Sequence, residues 1–164
     1  MTIRVGLGFD VHPFAEGRPL VLGGVVIPDA PGLAGHSDAD AVAHAVADAL
    51  LGAAGLPDLG TLYPASDDVN QDASSVGFLV DIAARLAADG WTVGNVDVVI
   101  AAERPRLAPH VGAIAAGVAA ALEAVKDPAD AVVPVSVGPK RGEGLGAIGR
   151  AEGIAAWAVA LLQR

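Results

Sequence analysis

Side chains able to do chemistry gather in residues 36–44 of an otherwise apolar region. They are His36, Ser37, Asp38, Asp40 and His44. Ser37 followed three residues later by Asp40 is typical of a capping-box-like helix start, with Asp38 near the positive end of the helix dipole. Asp40 and His44 then share one helix face. A histidine on a helix beside one in a loop can hold a metal ion or orient a phosphate. The alternative is a polar helix start with one solvated histidine.

Two more residues of metal-ligand type precede this segment. Asp10 and His12 are two residues apart in a predicted strand, so both side chains point to the same face. With His44 they make three candidate ligands and leave a fourth position open, as in a catalytic zinc site. The chain contains no cysteine, so a metal has to bind histidine or carboxylate groups. His36 is then free to hydrogen-bond a substrate oxygen. The competing interpretation is that Asp10 and His12 end a strand and never meet His44.

A glycine-rich segment at 138–149 is the third candidate for function. Residues 144–149 match G-x-G-x-x-G, but the later strand and acidic residue of a dinucleotide fold do not follow. We therefore predict a loop of backbone N–H groups that opens a helix and cradles an anion. Five of the ten basic residues lie in or beside this loop and the loop at 103–109, namely Arg104, Arg106, Lys140, Arg141 and Arg150. Ordinary solvated charge is the alternative.

The elements that must position these groups alternate along the chain. Hydrophobic patterning predicts strands at 3–12, 20–27, 91–102 and 131–137, and helices at 38–54, 74–89, 110–125 and 150–163. Gly6 and Gly8 in the first strand indicate close approach of another backbone. The first helix has its apolar stripe at Val42, Val46, Leu50 and Ala53, with His44 on a different face. The acidic segment 56–72 is predicted to be a functional or mobile loop.

Composition limits the class of protein. A chain of 164 residues, 53% hydrophobic but only 4% aromatic, predicts one domain (1–164) with a core of Ala, Val, Leu and Ile. A net charge of −9 argues against nucleic acid or an anionic membrane as partner. We find neither a signal-peptide pattern nor an apolar stretch long enough to span a membrane, so a cytoplasmic location is expected.

Characteristic motifs run along nearly the whole chain. They lie at residues 8–12, 23–28, 36–40, 48–53, 58–60, 63–64, 94–97, 105–110 and 149–153. Together they resemble the 2-C-methyl-D-erythritol 2,4-cyclodiphosphate synthase family of the non-mevalonate isoprenoid pathway. The resemblance implies an α+β fold, in which a mixed β-sheet has helices packed on one face. It also implies a homotrimer with sites between subunits.

The activity implied by this resemblance is that of a ring-closing lyase. In 4-diphosphocytidyl-2-C-methyl-D-erythritol 2-phosphate, the terminal phosphate attacks the β-phosphorus of the CDP group, and CMP leaves. Such a phosphoryl transfer depends on positioning and charge neutralisation, which metal ions supply.

Site residues are implied in the same way. One zinc per chain is held by Asp10, His12 and His44, and Glu143 holds a second cation, magnesium or manganese. His36 and Ser37 contact the phosphates. Asp10, His12 and Glu143 are also counted among the substrate contacts. The other implied contacts are Asp58, Leu59, Gly60, Tyr63 and Asp67 in one segment, Ala102, Arg104, Pro105, Arg106, Leu107 and Ala108 in the loop expected to take the cytosine, and Lys140 and Arg150.

Three positions depart from the family pattern. The family usually has consecutive threonines before the metal-binding glutamate, where an ungapped alignment from Gly149 and Arg150 places residues 140–142, Lys-Arg-Gly. Ala147 stands where a bulky apolar residue is usual, and Ala65 where an acid is usual. We predict that Arg141 takes over transition-state stabilisation and acts with His36 as a catalytic residue.

Two other functions stay open on sequence alone. A homologue that kept fold and metal could bind a nucleotide or an isoprenoid phosphate without turnover. A zinc-dependent hydrolase of another phosphate ester would need a general base, for which Asp40 or Asp48 is available.

Overall fold

The computed structural model describes residues 1–67, 70–125 and 132–164. The strands are β1 (Ile3–Ala15), β2 (Leu20–Leu22), β3 (Val25–Ile27), β4 (Gly32–Leu33), β5 (Thr92–Ala101), β6 (Val135–Lys140) and β7 (Gly153–Gln163). The helices are α1 (Ala41–Ala54), α2 (Leu59–Leu62), α3 (Ser75–Ala88), α4 (Val111–Glu123) and α5 (Gly146–Gly149), and a 3₁₀ turn at Ala108–His110 precedes α4. None of the helices in these described ranges is long and apolar enough to cross a membrane.

Five strands form one mixed sheet in the order β4-β1-β7-β5-β6. β7 pairs antiparallel with both β1 and β5, whereas β5 and β6 are parallel. β2 and β3 form a separate two-stranded hairpin. α1 packs on β1 and β7, and α3 and α4 extend the helical layer. The expected α+β fold, with a mixed sheet and helices on one face, is confirmed.

The backbones of α1 and β1 meet at two glycines. A Cβ atom added to Gly6 would lie 2.0 Å from the carbonyl oxygen of Ala49, and one added to Gly8 would lie 1.8 Å from that of Ala45. Glycine is therefore required at both positions, as the predicted close approach indicates. Side chains alternate along a strand, so Asp10 follows on the same face as the glycines. The contact thus brings the polar end of β1 level with α1.

Asp40, and not Ser37, caps the first helix. One carboxylate oxygen of Asp40 accepts from the backbone N–H groups of Val42 and Ala43, at 3.1 and 3.0 Å. The capping box predicted from Ser37 is wrong, because Ser37 Oγ accepts from the N–H of Ala39, before the helix begins. Asp40 also accepts from the N–H groups of residues 23 and 24, so it ties the β2–β3 hairpin to α1.

Two predicted elements are wrong. The strand predicted at 20–27 is broken into β2 and β3, because Gly23 and Gly24 adopt positive φ angles of 59° and 76° and form a turn. The helix predicted at 150–163 is strand β7. Its alanines alternate with exposed Trp157 and Val159, and pairing with β1 and β5 on both sides outweighs alanine's helix propensity.

The other predicted elements are confirmed with shifted ends. The strands at 3–12 and 91–102 are β1 and β5, and the helices at 38–54, 74–89 and 110–125 are α1, α3 and α4. The strand predicted at 131–137 starts on a residue outside the described ranges, and its described part continues as β6 to Lys140.

The sheet face turned away from the helices, here called the outer sheet face, is apolar and exposed. Its large exposed side chains are Ile3, Val5, Leu7, Phe9 and Val11 on β1, and Trp157 and Val159 on β7. Leu7 is 68% exposed, and the rings of Phe9 and Trp157 lie side by side with centroids 5.1 Å apart. Contiguous apolar surface of this kind marks an interaction site.

Candidate active site

Asp10, His12 and His44 meet where β1 runs beside α1. Asp10 Oδ2 lies 2.8 Å from His12 Nε2 and 3.0 Å from His44 Nδ1. The two histidine nitrogens are 3.3 Å apart. Among the described residues this is the one group of three or more side chains able to hold a metal ion. Tetrahedral zinc, with ligands at about 2.0–2.2 Å, needs ligand atoms roughly 3.3 Å or slightly more apart. The two histidine nitrogens already have this separation, and Asp10 Oδ2 would have to move away from them by about half an ångström.

Hydrogen bonds select the ring nitrogen that each histidine offers. His12 Nδ1 is 2.7 Å from the carbonyl oxygen of Ala34, so Nδ1–H donates there and Nε2 is the nitrogen that faces Asp10 and is left to bind a metal ion. His44 Nε2 is 2.8 Å from Ser75 Oγ, which leaves Nδ1 facing Asp10. Ser75 could not be identified as a site residue from the sequence, where it is only a serine at the start of a predicted helix.

The electrostatics of the cluster favour a cation. Burial alone raises the pKa of the Asp10 carboxyl, but hydrogen bonds to His12 and His44 outweigh it and hold that pKa well below its usual range. The same hydrogen bond to Asp10 raises the pKa of His12 above 6.5, against the effect of burial. Asp10 therefore keeps its negative charge at physiological pH.

His36 has a free polar atom beside the cluster. Its Nε2 is buried without a hydrogen-bond partner among the described residues. Its backbone is held on both sides, because Arg18 donates to the carbonyl oxygens of Gly35 and Ser37. A buried polar atom without a partner calls for a ligand. Arg18 is a second residue that sequence reasoning missed.

These groups open onto a cavity of about 270 Å³, here called the first cavity. It is lined by Asp10, His12, His36, Ser37, His44, Asp48, Leu59, Gly60, Tyr63, Ala65, Asn70 and Phe78. Five of the substrate contacts predicted in segments 36–44 and 58–67 are among them, namely His36, Ser37, Leu59, Gly60 and Tyr63. Asp58 instead caps α2 by accepting from Thr61 N at 2.8 Å, and neither it nor Asp67 belongs to the described lining.

The two candidate general bases differ in their surroundings. Asp40 is fully buried, and both carboxylate oxygens accept from backbone N–H groups, so its role is structural. Asp48 lines the first cavity and accepts from Leu59 N at 2.8 Å. Burial raises the pKa of the Asp48 carboxyl. Only Asp48 is placed to accept a proton from a molecule in the first cavity.

A separate cavity of about 470 Å³, here called the second cavity, lies between the loop after β5 and the end of β6. It is lined by Ala102, Glu103, Pro105, Arg106, Leu107, Ala108, Pro139, Lys140 and Arg141. Arg104, Glu143 and Arg150 are not among these described lining residues. Among the residues that the structure describes, none lines both cavities.

Glu103 organises the charges of the second cavity. It forms an ion pair with Arg141, and its other carboxylate oxygen accepts from Glu143 N at 3.0 Å. Glu103 did not stand out in the sequence. Arg150 pairs with Glu152 at 2.6 Å, away from this group. The Glu143 side chain is exposed. The glycine-rich loop opens only the four-residue α5 and not the long last helix that was predicted, whereas anion binding by this loop stays a prediction.

The model of the YgbB family matches residues 3–163. The chain belongs to that family, and several of its curated relatives carry the name 2-C-methyl-D-erythritol 2,4-cyclodiphosphate synthase. The synthase of Bordetella petrii is 50% identical over 100% of this chain and 98% of its own. That of Rubrobacter xylanophilus is 53% identical over 98% and 95%. The resemblance seen in the sequence is confirmed.

Solved structures agree with this assignment. A 2C-methyl-D-erythritol-2,4-cyclodiphosphate synthase in a CDP-bound form superposes with a TM-score of 0.84 at 34% identity, over 98% of this chain and 100% of the other. The bifunctional IspDF of Campylobacter jejuni gives a TM-score of 0.89 at 37% identity, and this chain matches 42% of that longer protein.

Proposed function

We propose that this chain converts 4-diphosphocytidyl-2-C-methyl-D-erythritol 2-phosphate to 2-C-methyl-D-erythritol 2,4-cyclodiphosphate and releases CMP. Residues 1–164 form one catalytic domain in this proposal, with a cytoplasmic location. One observation carries it: three possible metal ligands open on a cavity beside His36 Nε2, which has no partner among the described residues, in a chain that matches a named synthase over 98% of that relative's length.

Asp10, His12 and His44 would hold the zinc ion. A bound zinc supplies positive charge that polarises a phosphoryl oxygen and offsets the charge of two phosphate groups brought together. The chain's own groups then position the phosphates. His36 Nε2 donates to a phosphate oxygen, and Ser37, whose oxygen already accepts from Ala39 N, directs its hydroxyl proton into the first cavity.

The cytosine base of the substrate binds in the second cavity. Its wall at residues 102–108 offers backbone groups and the apolar side chains of Pro105 and Leu107, which suit a flat base. Two solved relatives are named as CDP complexes, which supports a CDP-linked ligand. Leu59 and Gly60 of the first cavity, with neighbouring Asp58, hold the ribose.

In a homotrimer, the first cavity of one subunit and the second cavity of its neighbour would together form one complete site. The described linings of the two cavities have no residue in common, so the second cavity of one subunit can face the first cavity of its neighbour. The apolar outer sheet face supplies a surface that association would bury. This proposal rests on that exposed face and on the family assignment.

The loop after β6 neutralises the negative charge of the diphosphate. Glu143 would hold magnesium or manganese, while Arg141 and Lys140 supply positive charge where the family usually has threonines. Arg150 is the remaining proposed contact, and its pairing with Glu152 makes it a weaker candidate. The reacting phosphates are thus neutralised from two sides.

The deciding experiment incubates the wild-type protein with the CDP-linked substrate, zinc and magnesium. We expect CMP and the cyclic diphosphate in equal amounts. A hydrolase, with Asp48 as base, would give CMP and the linear 2,4-bisphosphate instead. A binding protein would retain the substrate without releasing CMP. Either result would refute the proposed cyclisation.

A further inference from the structure

The hydroxyl group of Ser75 lies between His44 and Asp38. Ser75 Oγ is 2.8 Å from His44 Nε2 and donates a hydrogen bond to Asp38 Oδ1. The second carboxylate oxygen of Asp38 accepts from Ser75 N at 3.0 Å. Ser75 is 1% exposed and does not line the first cavity, so its hydroxyl contacts protein groups and not a ligand.

The direction of these hydrogen bonds follows from the groups involved. A carboxylate only accepts, so the hydroxyl proton of Ser75 goes to Asp38. The Ser75 oxygen is then left to accept, and the imidazole of His44 donates to it through Nε2–H. With hydrogen on Nε2, Nδ1 is the ring nitrogen left to bind a metal ion, and Nδ1 faces Asp10 at 3.0 Å.

A second serine near the same imidazole has different surroundings. Ser37 Oγ lies 3.2 Å from His44 Nε2 and 3.3 Å from Ser75 Oγ. Unlike Ser75, it lines the first cavity and is not hydrogen-bonded to a carboxylate. Ser37 therefore faces a ligand, while Ser75 is part of the protein framework behind the imidazole.

We propose that Ser75 and Asp38 are positioning residues, which fix the tautomer and ring orientation of His44 for the metal ion. This inference rests on the proposed zinc site and is independent of which reaction follows. In this proposal, the start of α3 helps to position the imidazole of His44. Asp38 N donates to Ala73 O at 3.1 Å and Asp72 N donates to His36 O at 2.9 Å, so the segment with His36 is joined to the segment with Ser75.

Zinc affinity of the purified full-length chain tests the proposal, measured by competition with a chromophoric chelator. Ser75→Ala should weaken zinc binding roughly 10- to 100-fold, as loss of a partner of a metal-bound histidine does elsewhere. Ser37→Ala is the matched control, because it removes a hydroxyl near the same nitrogen. It should leave zinc affinity close to wild type.

Asp38→Asn probes the direction of the hydrogen bonds. The amide NH₂ group can donate to Ser75, which then offers its own proton to His44 Nε2 and favours hydrogen on Nδ1. Zinc binding should weaken at least as much as in Ser75→Ala. The double variant should lose less affinity than the sum of the two single losses, because both residues act through one chain of hydrogen bonds.

A measurement on the wild type keeps the test independent of folding. In the zinc-loaded protein, the ¹⁵N shifts of the His44 ring should show a protonated Nε2 and a metal-bound Nδ1. The opposite tautomer, or a Ser75→Ala variant with wild-type zinc affinity, would overturn the proposal. So would a wild type that binds no zinc. Tight zinc binding that depends on Ser75, without any cyclic product, would support this inference and refute the cyclase function.

Discussion

Arg141 and Glu103 form an ion pair that joins the loop after β6 to the loop after β5. Arg141 remains 63% exposed in its side chain, while Glu103 is 17% exposed and also receives the N–H of Glu143. The hydrogen bond to Arg141 holds the pKa of Glu103 below its usual range. A guanidinium that already has a carboxylate partner exerts less net field on a diphosphate than a free one.

The first prediction follows from this pair. Arg141→Ala should lower kcat by roughly tenfold, less than the roughly hundredfold to thousandfold that loss of one stabilising donor costs elsewhere, because Glu103 offsets part of the charge. Binding of CDP, measured by calorimetry, should change much less. Glu103→Gln is the control: it keeps the loop geometry and should not lower kcat as far. Full activity in Arg141→Ala would remove this residue from the proposed catalytic set.

The second prediction concerns the metal ligand on α1. His44→Ala should lose most of the bound zinc, because one of three protein ligands disappears. The fold should persist, since buried apolar residues surround the rest of α1. Elemental analysis gives the zinc content and circular dichroism checks the fold. His110→Ala, on a histidine outside both cavities, serves as the control. Unchanged zinc in His44→Ala would contradict the assigned ligand set.

The third prediction uses the single tyrosine of the chain. Burial, reinforced by the hydrogen bond to Asp81, raises the pKa of Tyr63 from 10.0 to about 12. Ultraviolet titration should report this value for Tyr63 alone. The unfolded chain ionises first, so the fold should lose stability as the pH rises from 10 towards 12.

Two neighbours of Tyr63 provide opposite controls. Asp81→Asn should lower the titration midpoint, because a negative neighbour no longer opposes the phenolate. Arg85→Ala should raise it, since Arg85 lowers the pKa of Tyr63. Midpoints that shift in the reverse order would show that this contact is not made in solution.

The fourth prediction tests assembly through the outer sheet face. We expect a trimer by light scattering at micromolar concentration. Leu7→Asp should dissociate it, because a charge then has to be buried in an apolar interface. Val26→Asp is the matched control, since Val26 on β3 is 62% exposed but lies off this face. A wild-type monomer at all concentrations, or a trimer indifferent to Leu7→Asp, would exclude this face as the interface.

Much of the candidate metal site could be predicted from the sequence, because two of its three ligands lie two residues apart on one strand. Alternation along β1 places Gly6, Gly8, Asp10 and His12 on one face, and the glycines signal the partner that crosses there. The packing of α1 on β1, which brings His44 to this face, depends on tertiary structure and cannot be predicted from local patterns. His44 was expected as the third ligand because of the resemblance to a known family.

Other features depend on contacts that no local pattern reveals. Ser75 and Asp38 are 37 positions apart, and their hydrogen bonds exist only once α3 docks against the loop before α1. β7 was mistaken for a helix because alanine favours helices, while its strand pairing depends on β1 and β5. Asp40 also resembles a possible general base in sequence, and only its four backbone donors identify it as structural.

The position of β7 in the sheet has a consequence for synthesis of the chain. β1 is made first and β7 follows every other described element, yet β7 lies between β1 and β5. On the ribosome, the apolar strand β1 has no partner on this side until residues 153–163 have left the exit tunnel. The sheet can therefore close only after their release, and its long-range pairing makes folding slow. Until then, the nascent chain exposes an unpaired strand edge to chaperones and to other nascent chains.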